Sequence, residues 1–271
     1  MAILSACAVI NVSAQQLRYP MAPHDSTTDT YFGVKVADPF RPLEDDKSPA
    51  TEAWVRAENQ LTRNYLDKMP QRPQLLKRLK EVCNYGRVYT PFKEHGKWYV
   101  YRNNGVQNQS VLYQMNELGG KETVFLDPNT LSTDGTVALK SIDFSHDGRY
   151  LAYVISRNGS DWEEIYVMDV NTRQLLKDHI VWAKFTDAAW RGDGFYYSAY
   201  DAPEQGHETS AKASVQKVYY HKLGTPQSSD QLFYQNPAYP LRFYNVSVNR
   251  DETMMFLSED GMDQGNNLYV R

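Results

Sequence analysis

Six histidines, at positions 24, 95, 146, 179, 207 and 221, are the residues best suited to proton transfer or metal ligation, because a neutral imidazole accepts a proton near pH 7 and binds divalent ions. Their spacing supports neither role. No H-E-x-x-H and no C-x-x-C occurs, and each histidine reads as a surface or turn residue. Asp127-Pro128-Asn129 opens like a calcium loop, but Leu131 and Ser132 stand where an acid or amide and a glycine should follow. Glu44-Asp45-Asp46 reads as a solvated acidic run ahead of a helix, favoured there by the helix dipole, rather than as a cation site. The sequence also lacks G-x-S-x-G, G-x-x-x-x-G-K-[ST] and G-x-G-x-x-G, the motifs that present a serine nucleophile or cradle phosphates. On mechanics alone, no catalytic residue, metal ligand or cofactor is assigned.

The elements behind these residues are mostly strands. Tyr, Phe and Trp number 20, 10 and 5 in 271 residues, a bias toward β-structure. Lys plus Arg total 29 against 33 Asp plus Glu, and the net charge of −4 argues against a nucleic-acid partner. The one long apolar run, Ala2 to Val12, is far too short to span a bilayer. It ends in Val12-Ser13-Ala14 before Gln15-Gln16, so residues 1–14 are expected to be a signal peptide and the protein to be exported to the periplasm. The alternatives are a frayed N-terminus in a cytoplasmic protein and, through Leu4-Ser5-Ala6-Cys7, lipidation at Cys7. No Lys or Arg precedes the run, which suggests that Met1 is an internal start. With Cys7 removed, Cys83 stands alone and no intramolecular disulfide forms.

Residues 15–84 form an extended and then helical segment. Residues 15–47 lack any period. Ser48 is a candidate N-cap with Pro49 at the first helical position, and Trp54, Ala57, Leu61 and Tyr65 share a stripe that Pro70 and Pro73 end. A second helix, 74–84, carries Leu75, Leu76, Leu79 and Val82. From 85 the period becomes alternating and a repeat appears. Each unit turns at a polar Gly or Asp pair, as at Asp147-Gly148, climbs into an aromatic strand, and continues into a strand centred on Tyr113, Tyr166, Tyr219 or Tyr269. These tyrosines are 53, 53 and 50 residues apart. That grammar predicts a mainly β protein: four-stranded antiparallel blades of a β-propeller over about 85–139, 140–186, 187–240 and 241–271, the last incomplete. A β-sandwich is the alternative, but it gives no reason for the same strand order every 50 residues or so. An ending inside a third strand leaves an open edge, so the chain is expected to be the front part of a larger protein.

Specific strings add a resemblance. Asp38-Pro39-Phe40-Arg41-Pro42-Leu43-Glu44-Asp45, the helix with Trp54 and Glu58-Asn59, Gly105-Val106-Gln107-Asn108-Gln109-Ser110-Val111-Leu112-Tyr113, Phe125-Leu126-Asp127-Pro128-Asn129, Asp134-Gly135-Thr136-Val137-Ala138-Leu139 and Gly159-Ser160-Asp161-Trp162 resemble the N-terminal half of the prolyl oligopeptidase family. The likeness runs from about Tyr19 to the end and favours the prolyl branch over the dibasic-cleaving oligopeptidase B branch. It implies a partial propeller, about four of seven blades, whose implied α/β-hydrolase domain is absent from these residues and would receive the N-terminal helices. It implies a serine endopeptidase acting on short proline-containing peptides, with Ser, His, Asp and oxyanion hole all downstream of Arg271 and this chain inert alone. The propeller would filter substrates by size. Alignment of the strands places Phe185, Phe243 and Met262 where that family lines the apolar subsite upstream of the proline pocket. The competing role for each is interblade core, and for Met262, whose loop matches loosely, the core role leads. A propeller-only periplasmic binding or scaffold protein is the alternative function.

Overall fold

The computed structural model describes residues 17–209, 215–261 and 265–271; the expected leader 1–14 with Cys7, and Met262, lie outside them. The chain divides into two units, one holding the residues up to Gln74 together with 205–209 and the other the remaining described residues, and the division falls inside the second helix. In the first unit, β1 (Thr28–Tyr31) and β2 (Val34–Ala37) form a hairpin about Phe32 and Gly33, both at positive φ. Sequence reading missed these strands because nearly every residue in them is exposed, so no apolar face marks an alternation.

Helix α1 (Pro49–Leu66) starts as expected. Ser48 Oγ accepts the Thr51 N–H at 3.2 Å, and Pro49 fills the first position, where a missing N–H costs nothing. Pro73 does not stop this helix, which has already ended at Leu66; it lies in the first turn of α2 (Arg72–Cys83), a tolerated place for proline. Leu75, Leu76, Leu79 and Val82 on α2 are exposed. Among the described residues no helix is long and apolar enough to cross a membrane.

In the second unit the alternating aromatic runs become four antiparallel blades. The first comprises β3 (Arg87–Val88) and β4 (Phe92–Glu94), both paired with β5 (Lys97–Asn103), then β6 (Val111–Met115) and β7 (Thr123–Leu126). The second comprises β8 (Val137–Phe144), β9 (Tyr150–Arg157), β10 (Glu163–Asp169) and β11 (Leu175–Ala183). The third comprises β12 (Ala189–Arg191), β13 (Gly194–Ala199), β14 (Lys217–Lys222) and β15 (Gln231–Gln235); the fourth comprises β16 (Phe243–Val248), β17 (Met255–Asp260) and β18 (Asn267–Val270). Tyr113, Tyr166, Tyr219 and Tyr269 each fall in the third strand of their blade. The 53-residue step is thus the length of one blade with its connections.

Burial of both faces of a strand explains the stacking. Successive side chains of a strand point to opposite faces, and β9 is buried at six consecutive positions. Leu151, Tyr153 and Ile155 pack with Tyr99, Leu112 and Phe125 of the first blade. Ala152 and Val154 pack on the other side with Trp190, Phe195 and Tyr197 of the third. Strand β13 repeats the device, its Tyr196 joining Tyr244, Met255 and Leu257 of the fourth blade. Three apolar seams therefore join four sheets, whereas a sandwich would have one interlayer core. The second and third blades also meet through the backbone, at the single pair Ala183↔Ala199.

Polar ties cross the seams. In the first seam Gln109, from the Gly105–Tyr113 string, accepts the Leu139 N–H at 2.8 Å and donates to the Val137 carbonyl, satisfying one edge of β8. Asn129 bonds Gln109 through both its amide groups, and Asp127 Oδ1 accepts the Asn129 N–H. The Asp127-Pro128-Asn129 segment is a structural turn.

Candidate functional site

Connections between antiparallel strands alternate between the two ends of a blade, so the links from second to third strand and from one blade to the next share an end. That shared end carries an aromatic rim. Phe185 follows β11 and Phe243 opens β16, and the rings, 58 positions apart in sequence, meet edge to face with centroids 5.2 Å apart and planes at 90°. Phe185 is 48 % exposed and stands at positive φ (55°), so it is presented to solvent rather than buried in a seam; Phe243 is half-buried. The structure thus brings together two of the three residues singled out in sequence, and the third, Met262, lies outside the described residues.

More residues share this rim than the sequence disclosed. The indole rings of Trp162 and Trp182 are perpendicular at 5.3 Å, and Tyr200 lies edge-on to Trp162 at 6.3 Å. The Lys184 ammonium sits 5.2 Å from the Trp162 ring and 5.4 Å from Phe185, with Asp161 at 3.5 Å. An apolar surface edged by the Lys184–Asp161 pair suits an extended peptide segment better than a compact charged ligand.

The turn bearing Phe185 is held by buried groups. Glu163 accepts the Thr186 N–H at 3.2 Å, and burial raises its pKa even though that bond opposes the shift. The Ser198 N–H donates to Thr186 Oγ1 at 2.8 Å. Gln216, fully buried, donates from Nε2 to the Lys184 carbonyl at 2.8 Å and accepts the Tyr244 N–H at 2.6 Å. Gln216 carries no periodic signal, and its partners lie 32 and 28 positions away, so nothing near it in the chain marks its role.

The histidines require one correction. His221 is neither a surface nor a turn residue: it lies in β14 and is fully buried. Its Nδ1 meets Asp230 at 2.7 Å and its Nε2 meets Asp178 at 3.1 Å, tying the third blade to β11. Burial pulls the imidazole pKa down, but the hydrogen bonds and charges of Asp230 and Asp178 outweigh it and the net shift is upward. Both ring nitrogens are engaged by carboxylates, so His221 has no face left to take a proton from a substrate. It is a structural ion cluster. Among the described residues no group of three His, Cys, Asp or Glu side chains is arranged to hold a metal ion.

The opposite end of the blades differs. A cavity of about 370 Å³ there is lined by first strands and turns, including His95, Asp143, Phe144, His146 and Arg250. Burial pushes the Asp143 carboxyl up to about 7, against the pull of the Ala188 N–H that it accepts at 3.2 Å. Among the described residues no Ser, Thr, Cys or Lys side chain lines this cavity.

Comparison with known proteins places this architecture. The family model for the N-terminal β-propeller domain of prolyl oligopeptidase matches residues 19–271. The prolyl endopeptidase of Elizabethkingia meningoseptica is 42% identical over 272 residues, which cover 99% of this chain and 38% of that protein. Prolyl oligopeptidase A of Galerina marginata is 34% identical, over 88% of this chain and 37% of that protein. Among solved structures, prolyl oligopeptidase B of Galerina marginata bound to a 35mer hydrolysis and macrocyclization substrate superposes with a TM-score of 0.73 at 30% identity, covering 93% of this chain and 39% of that one. The chain thus spans well under half the length of these relatives. With this match running through all four blades, the chain belongs to the prolyl oligopeptidase family and is built from that family's N-terminal β-propeller domain.

Proposed function

We propose that this chain is the substrate-admitting part of a serine endopeptidase that cleaves short peptides after proline, with the Ser-His-Asp machinery in a hydrolase domain outside these 271 residues. The observation that carries the reading is the Phe185–Phe243 pair, an exposed edge-to-face aromatic shelf at one end of the blades in a chain of this family. Such a shelf grips an apolar peptide residue on the amino side of the scissile proline. In the same proposal the propeller is the size filter that keeps folded proteins out, its blades held together by three apolar seams. Export to the periplasm, suggested by residues 2–14, is part of the same proposal.

A chromogenic proline-linked peptide tests it. The full-length enzyme is expected to release chromophore from short peptides and to leave folded proteins intact, whereas residues 1–271 alone release none. Turnover by residues 1–271, or full-length turnover that ignores proline, overturns the reading. N-terminal sequencing of the protein from a periplasmic extract tests export, with residue 15 expected as the first.

A further inference from the structure

We propose that Gln216 is the positioning residue that sets the Phe185–Phe243 shelf, and through it the preference for longer peptides; this rests on the peptidase reading above. The two rings come from different blades, and their spacing depends on how those two backbones are held. Lys184, whose carbonyl takes the Gln216 Nε2–H at 2.8 Å, immediately precedes Phe185. Tyr244, whose N–H goes to Gln216 Oε1 at 2.6 Å, immediately follows Phe243. One buried amide therefore fixes the neighbours of both rings from the blade that lies between them.

Two half-buried glutamines that tie blades do something different. Gln109 bonds Val137 and Leu139, two positions of one strand, and Gln227 bonds the N–H and carbonyl of Val181 and, at 3.5 Å, the Tyr197 hydroxyl of its own blade. Gln216 bridges two blades other than its own. Ser198 of the same blade supports the bracket, donating from Oγ to the Tyr244 carbonyl at 2.8 Å and from its N–H to Thr186 Oγ1 at 2.8 Å. The bridge demands one donor and one acceptor at the end of a three-carbon stem, which a neutral amide supplies. An ionised carboxylate of the same shape has two acceptors and would face the Lys184 carbonyl without a proton. A protonated carboxyl restores both roles.

That chemistry gives the test, made in the full-length enzyme with two proline-linked substrates, one ending two residues before the scissile bond and one extended by apolar residues. In Gln216→Met the ratio of kcat/KM for the long over the short substrate falls about tenfold, the scale of one buried neutral hydrogen bond, and the loss appears in KM of the long substrate. In Gln216→Glu the ratio is near that of the wild type at acid pH, where burial keeps the new carboxyl protonated, and falls below the wild-type ratio as pH rises; Glu163, the titratable group on the Phe185 turn, is present in both proteins, so its slope cancels when the two are compared at each pH. A ratio unmoved in Gln216→Met, or lowered equally at all pH values in Gln216→Glu, overturns the proposal while leaving the peptidase reading intact. A wild-type enzyme that turns over neither substrate overturns the peptidase reading and this proposal with it. Because the Glu variant is read against the wild type at two pH values, a Met variant that fails to fold does not end the test.

Discussion

Gln216, immediately before β14, and His221, near the end of that strand, lie five positions apart, both fully buried and both tying the third blade to its neighbours. Gln216 does so as a neutral amide with one donor and one acceptor. His221 does so as an imidazole between two carboxylates whose remaining capacity is also used: Tyr197 Oη donates to Asp230 at 2.7 Å and the Gly224 N–H to Asp178 at 2.5 Å. Buried polar groups must be paired, and buried ions must be paired completely, because an ion left without a partner retains its whole desolvation cost. The contrast shows a division of labour along one strand. The amide tie nearest the aromatic rim cannot titrate, while the tie in the seam can.

Removing the ionic tie is the strongest way to break this comparison. His221→Ala leaves Asp178 and Asp230 buried without a cation, and breaking a buried pair on one side costs about 3–5 kcal/mol. The expected result is a large drop in the urea midpoint at unchanged slope. Close approach of backbone reserves the facing position for glycine: a Cβ on Gly194 would lie 2.0 Å from the His221 carbonyl oxygen. A loss below about 1 kcal/mol would mean that the carboxylates are satisfied without the imidazole.

Asp143 offers the opposite case, a buried carboxyl that forms no ion pair among the described residues, although Arg250 lines the same cavity. Its folded pKa of about 7 lies above the ordinary 3.8. The folded state therefore holds the proton more tightly than the unfolded one, and stability declines as pH rises from about 4 to 7. Asp143→Asn keeps an acceptor for the Ala188 N–H and removes the charge. The variant is expected to be more stable than the wild type at pH 8, on the order of 4 kcal/mol, with the difference vanishing near pH 4. Equal stability at pH 8 would show that water or Arg250 solvates the carboxylate.

A smaller effect separates the two ties directly. Because the folded pKa of His221 is raised, its ionic contribution is fully present below the unfolded value near 6.5 and is lost as pH climbs through the folded value. Wild-type stability should fall with rising pH above about 6.5, and His221→Gln should lack that part of the slope. Gln216→Met should keep it. Identical slopes in all three proteins would remove the distinction between the ties.

What the sequence disclosed and what it hid follow from the same physics. The blades were legible because β9 and β13 fill two seams each, which forces long apolar runs, and because turns such as Asp147-Gly148 need a residue at positive φ. The hairpin at β1 and β2 was not, since exposed strands carry no alternating face. Phe185 and Phe243 were reached only through resemblance, and nothing in their neighbourhood announces that the rings touch. His221 and Gln216 were invisible because a buried polar residue is defined by its partners, and Asp178 and Tyr244 lie 43 and 28 positions away.

The smallest expected effect bears on the shelf itself. Phe185→Ala removes a half-exposed ring, so little stability is lost, and its consequence is a severalfold rise in KM for the extended proline peptide. Phe243→Ala should do the same from the other blade. If the rings form one surface, the double variant must lose less than the product of the single effects, because once one ring is gone the other no longer has an edge to pack against. An edge-to-face pair is worth about 0.5–1.5 kcal/mol beyond its area, which corresponds to a coupling of roughly two- to tenfold in KM. The cycle also reports on Gln216. In a Gln216→Met background the coupling should shrink toward zero even though both phenylalanines remain, since the amide supplies the spacing that lets the rings meet. Full coupling in that background would mean that the seam alone sets the ring geometry and that the bracket is redundant.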